Sequence, residues 1–153
     1  MNKLKSDIER ITILLGVIQV TFGCIVGFIP PVAVSWFRGI VMAHIELTAN
    51  GVLMIVFGFL VSRMNLSPRL WKTWFATLQI GTWTNGLAGI IGAFSGSSSK
   101  LMTTINEKFP APNGADSFPV TLSLQICGVT IMIALLLTIY GLLNSQMDSQ
   151  KAG

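Results

Sequence analysis

The sequence predicts an all-α integral membrane protein, a four-helix bundle, and three observations carry that prediction. Of its 153 residues, 52% are hydrophobic and only 10% charged, against about a quarter charged in ordinary soluble domains. Four apolar runs of spanning length, about 11–29, 39–62, 71–95 and 119–143, follow one another with short polar joints between them, and a helix needs about 20 such residues to cross a bilayer. The basic residues are unevenly shared: Lys3, Lys5 and Arg10 precede the first run and Arg63, Arg69 and Lys72 join the second to the third, whereas Arg38, Lys100 and Lys108 are spread over the other joints. By the positive-inside rule both termini and the middle joint face the cytoplasm, so the chain reads as one multi-pass domain, 1–153, of the cell (inner) membrane. The isoelectric point near 9.4 reports this topology, and no nucleic-acid signature accompanies it.

The first run begins after Ser6-Asp7-Ile8-Glu9, where Ser6 is placed to cap a helix and the two acids suit its positive end. Its one strongly hydrogen-bonding side chain is Gln19, and Pro30-Pro31 must end it, since neither residue donates a backbone hydrogen bond. The run is too long for a signal peptide and no small-residue cleavage site follows it. Cys24 and Cys127 both fall inside runs and are expected to pack as small apolar residues; no Cys-x-x-Cys occurs, which leaves thiol redox chemistry and cysteine metal sites without support.

The second run is the one around which the chain is organised. It holds His44, the only histidine, and Glu46, the only acidic residue in any apolar run, followed by Asn50. An ionisable group in hydrocarbon costs at least about 2.5 to 3.5 kcal/mol on insertion scales, so its default reading is a functional site. Successive helical residues turn by about 100°, which puts His44, Thr48 and Gly51 on one face and Glu46 with Asn50 on another. Either a wide, flat cofactor spans both faces or two copies of the chain build the site between them. At the usual rise, Asn50, Gln19 and Asn85 of the third run reach a similar depth, a polar layer near the middle of the membrane.

In the third run Gly81, Asn85, Gly89, Gly92 and Gly96 are spaced four, four, three and four apart, one helical face that is smooth except for Asn85. Two readings stand: small-xxx-small helix packing, or a cradle for a flat ligand with Asn85 as its directional contact. The joint from Gly96 to Phe118 is long and rich in Ser, Gly, Pro and Asn; it is expected to lie across the outer mouth, with a short interfacial helix over Thr103 to Phe109. The fourth run carries Gln125 and Tyr140, and the tail from Asn144 is expected to be irregular.

A lone histidine serves either as a hydrogen-bonded packing residue or as a ligand. One imidazole suffices for a five-coordinate haem iron whose opposite axial position stays open, whereas a zinc site would need ligands from several chains. The run Ala43-His44-x-Glu46-x-x-x-Asn50-Gly51, followed by Gly81-Thr82-Trp83-Thr84-Asn85, resembles the small four-helix membrane isomerases that include hydroxylaminobenzene mutases and styrene oxide isomerases. The resemblance implies a homotrimer with haem b between subunits, its iron held by His44 and acting as a Lewis acid. It further implies that Asn50 positions a small aromatic substrate, with Asn85 and Glu46 as the other catalytic candidates and Thr48, Gly51 and Gly89 beside the cofactor. Styrene oxide isomerases carry a tyrosine where this chain has Gly89, which turns the reading toward the mutases: an arylhydroxylamine rearranged to an aminophenol by a hydroxyl shift from nitrogen to ring. The epoxide-to-aldehyde isomerase is the alternative. From another class, small proton-coupled multidrug exporters also carry one membrane glutamate, but in the first span and without the His-x-Glu-x-x-x-Asn cluster.

Overall fold

The computed structural model describes residues 3–151, with side chains over 3–145. Four long helices, α1 (Lys3–Gly27), α2 (Phe37–Leu60), α3 (Pro68–Ser95) and α5 (Phe118–Lys151), carry the four apolar runs, and a short α4 (Thr103–Lys108) lies in the long joint where an interfacial helix was expected. Among the described residues the only β feature is an isolated bridge between Ser99 and Asp116. Three helical segments are long and apolar enough to cross a membrane: Lys3–Gly27, Phe37–Arg63 and Phe118–Ser145. The third run, helix α3, is as long but does not reach the same hydropathy, because Gln79, Thr82, Thr84 and Asn85 interrupt it. The protein is a membrane protein of helices.

The helix ends follow from local chemistry. α1 stops at Gly27, three residues before Pro30, and a 3₁₀ turn at Pro31–Ala33 leads to extended Trp36 and the start of α2. Ser67 caps α3 by accepting from the Leu70 amide, with Pro68 at the first helical position, where its missing N–H is no loss. Gly96 ends α3 in the left-handed region, φ 67°, with its amide donating to the Gly92 carbonyl, a conformation that glycine adopts without Cβ strain. Two expectations about ends are corrected. Ser6 lies inside α1, which already starts at Lys3 because Ile8 is buried beside Trp71 and Val61, and Lys5 reaches Ser62 O at 3.4 Å. The tail from Asn144 continues α5 as helix to Lys151.

Backbone-close approaches set the packing. A methyl added at Gly51 would sit 2.7 Å from Gly16 O, and one at Gly16 2.8 Å from Gly51 O, so α1 and α2 touch main chain to main chain. Gly39 and Gly89 do the same for α2 and α3, at 2.7 and 2.9 Å from each other's carbonyl oxygens. Gly81 receives Thr130 and Ile131 of α5, and Gly141 of α5 receives Met64 and Leu66. Gly92 lies under Ser97 O and Trp36. The glycine face of α3 is therefore helix packing, and the flat-ligand reading of that stripe is set aside. These contacts join α1 to α2, α2 to α3 and α3 to α5. α1 also reaches α3 directly, through Gln19 to Thr82 O and Phe22 against Trp83, so α1, α2 and α3 meet one another, while α5 packs on α3 and leaves Leu122, Val129, Leu136 and Ile139 exposed.

Two apolar clusters fill the space between the helices. One gathers Met54, Phe57, Val61, Trp71, Trp74 and Leu78, with Trp71 edge-on to Trp74 at 5.6 Å; the other gathers Val26, Ile40, Ala43, Leu47 and Ala93. Between them in helix order lie Gln19, Asn50 and Thr82. The long joint folds onto the N-terminal end of α2: Arg38 stacks over Phe109 at 4.5 Å, and Asn113 donates to Ser95 O at 2.7 Å.

Candidate active site

α2 divides the polar residues between its two seams, as the 100° turn per residue requires. On the α1 side, His44 Nδ1 lies 2.9 Å from Gly23 O. A carbonyl can only accept, so Nδ1 carries a proton and donates, and in the neutral ring Nε2 then keeps its lone pair. The holding carbonyl comes from α1, not from one turn earlier on α2 as a lone helix would provide. Gly27 forms the floor beneath the ring, since a methyl there would sit 2.8 Å from Nδ1 and 3.2 Å from Cε1 and Cγ. Thr48 turns its hydroxyl back to His44 O at 2.7 Å and Ile45 O at 3.0 Å, and its methyl group packs against Gly23. Gly51 of this face is buried against Gly16 and Val20, so its space belongs to α1 and not to a cofactor edge.

On the α3 side, Asn85 Nδ2 donates to Glu46 Oε2 in a short contact between half-buried side chains. Glu46 Oε1 makes no hydrogen bond among the described residues. Cys127 of α5 lies within electrostatic reach of this carboxylate. Asn50, one turn along from Glu46, points its Nδ2 at Thr82 O at 3.5 Å, and the fully buried Gln19 donates to the same carbonyl at 2.9 Å. The expected three-amide layer is thus two amides on one carbonyl, with Asn85 drawn away to Glu46. Gly89 packs on Gly39 and Ala43 of α2 and has no room for a ligand.

The structure brings Glu46, Asn50 and Asn85 together and leaves His44 across the helix from them. Sequence reasoning missed the α1 partners Gly23 and Gly27, and Thr82 as the shared acceptor. The spacing of Gly16, Gly23 and Gly27, seven and four, is the same one-face pattern that marked α3 and was there to be read.

The family likeness implies haem, and the donor set fits it. Among the described residues no three His, Cys, Asp or Glu side chains cluster to hold a metal ion. The chain offers one anchored imidazole with a free nitrogen, the requirement of an iron that brings its other ligands with it.

A helical membrane protein with a single presented histidine and an adjacent Glu-Asn pair is the class that fold and site define. The sequence profile of the styrene oxide isomerase family matches residues 8–143, and the chain belongs to that family. It is also similar to hydroxylaminobenzene mutase HabB of Ectopseudomonas oleovorans, 25% identical over 97 residues, which is 63% of this chain and 58% of that relative. The match thus spans less than two thirds of the relative's length. No solved structure matches.

Proposed function

We propose that the protein is a multi-pass membrane isomerase that rearranges an arylhydroxylamine to an aminophenol, with haem b held by His44 in a homo-oligomer, a trimer as in its family. All four long helices would cross the bilayer, α3 shielding its polar face against α2 and α5, with both ends on the cytoplasmic side. The observation that carries the reading is the anchored His44 ring, one nitrogen bound to Gly23 O and the other free.

The rearrangement is redox-neutral: an N–O bond breaks, a C–O bond forms, a ring carbon loses a proton and the nitrogen gains one. When bound, ferric haem would supply a Lewis acid for the departing oxygen. The proton transfer falls to the chain. Glu46 has one oxygen held by Asn85 and the other free, so it can take the ring proton and return it to nitrogen without turning. Asn50 keeps a second amide hydrogen and its Oδ1 for the migrating hydroxyl or the amine, and Gln19 restrains it through their shared Thr82 carbonyl. Apolar helix faces exclude the water that would intercept a cationic intermediate.

The test joins spectrum to product. Purified from haem-replete cells, the protein should show a Soret band, and His44→Ala should lose most of the haem and the activity while keeping its helical signal. An arylhydroxylamine labelled at oxygen should give an aminophenol that retains the label, without a reductant. A well-folded, active and colourless wild type would overturn the haem role, and full exchange with solvent oxygen would overturn intramolecular transfer. The family profile favours a second reading, aryl epoxide to aldehyde; turnover of styrene oxide in preference to the hydroxylamine would establish it.

A further inference from the structure

We infer that Gly27, acting with the Gly23 carbonyl, is a positioning residue: α1 sets the tautomer and the ring plane of His44 so that Nε2 alone is presented to a metal. The inference rests on the haem reading above and deepens it by assigning half of the ligand's support to a different helix.

The geometry fixes which ring edge faces α1. The atoms nearest a Gly27 methyl are Nδ1, Cε1 and Cγ, three consecutive atoms of one edge. The opposite edge, Nε2 and Cδ2, therefore points away from α1. A half-turn of the ring about Cβ–Cγ would replace Nδ1 by Cδ2 against Gly23 O, losing the 2.9 Å hydrogen bond and leaving a buried carbonyl facing carbon. Only one orientation satisfies both the floor and the acceptor.

Gly27 and Gly23 are separable. A methyl at Gly23 would press on Leu47 Cβ and on the Thr48 backbone nitrogen, each at 2.9 Å, so its loss disturbs the helix seam itself. At Gly27 the three nearest atoms all belong to the His44 ring, a side-chain end that can swing. Gly27→Ala should therefore displace the ring and leave the seam intact, and as a better helix former than glycine, Ala suits this last residue of α1. The affected property is ligand presentation, for which loss of a supporting partner costs about 10- to 100-fold in metal affinity.

His44 is the only histidine in the chain, so ¹⁵N-histidine labelling reports on it without assignment. In full-length wild type in detergent before hemin is added, the neutral ring should appear as the Nδ1–H tautomer. Gly27→Ala should lose that preference, bind hemin about 10- to 100-fold more weakly with a displaced Soret maximum, and melt no lower than wild type. Gly16→Ala, which meets Gly51 O and Ile55 instead, should lower the melting temperature and keep the tautomer. An unchanged tautomer and unchanged hemin affinity in Gly27→Ala would overturn the positioning role. Wild type that takes up no hemin would overturn the cofactor reading, while the tautomer comparison would still decide whether α1 sets the ring.

Discussion

The two seams of α2 satisfy their polar groups in different ways. Between α1 and α2 the acceptor is a backbone carbonyl, Gly23 O for His44, while Thr48 turns its hydroxyl back to His44 O and Ile45 O of its own helix. Between α2 and α3 side chain meets side chain at Glu46 and Asn85, and the carbonyl of Thr82 accepts from Asn50 of α2 and also from Gln19 of α1. A helix carbonyl cannot turn or change its protonation, so the first seam can hold one nitrogen in one direction. A carboxylate with an amide partner can exchange protons in place, so the second seam can move them. On the proposed reading, the division accounts for one helix carrying both sets of residues about 120–160° apart: holding and proton transfer need different partners.

The largest expected effect comes from wedging either seam apart. Gly51→Leu would drive a side chain into Gly16 O and Val20, and Gly89→Leu into the Ala43 nitrogen and Gly39 O, all close to main chain. Overpacking usually costs about 1–3 kcal/mol when side chains can yield, and backbone yields less, so both variants should fail to give a monodisperse folded protein on size exclusion. A folded, active Gly51→Leu would show that the first seam is looser than its geometry and would break the contrast.

The second effect separates the roles of the seams. Asn85→Ala frees Glu46 Oε2, and Asn50→Ala removes the amide beside it; neither touches His44. Each should keep the wild-type Soret band and lower turnover by about 10²- to 10⁴-fold, the usual contribution of a positioned proton-transfer group. Asn85→Ala should also lower stability by about 1–3 kcal/mol through the stranded carboxylate oxygen. Loss of haem with loss of turnover in both variants would mean that the seams act as one site.

Much of this was legible because membrane helices announce themselves by length, and because polar residues in them are few enough to single out. His44, Glu46, Asn50 and Asn85 stood out for that reason, and the 100° rule already separated His44 from Glu46. Pairings were not legible, since a sequence gives each helix's faces but not which neighbour each face meets. The glycine stripe around Asn85 admitted two readings, helix packing or a cradle for a flat ligand; the stripe is filled by Ala43, Trp36 and Ile131, and Asn85 turns to Glu46. Thr82 could not be found as an acceptor, because the group used is its backbone oxygen, which every residue has.

The smallest effect tests whether the third seam, α3 with α5, is independent of the other two. Trp74 is fully buried and donates its indole N–H to Thr138 Oγ1 at 2.8 Å, while the Thr138 hydroxyl donates to Ala134 O at 2.8 Å. Thr138→Val keeps the shape and removes the hydroxyl, which is both the indole's acceptor and the donor to Ala134 O, so the indole N–H is left without its partner inside an apolar cluster. Hydrogen bonds between membrane helices average about 0.6 kcal/mol by double-mutant cycles, with about 1.7 kcal/mol as the largest found in that series. A cycle of Thr138→Val with Trp74→Phe should therefore return a coupling of that size in unfolding. Haem content and turnover should stay at wild-type levels, because Asn85, the α3 partner of Glu46, lies beyond Leu78 and Gly81 along α3 from Trp74. A coupling above about 2 kcal/mol, or a turnover loss exceeding the stability loss, would mean that α5 is mechanically tied to the catalytic seam.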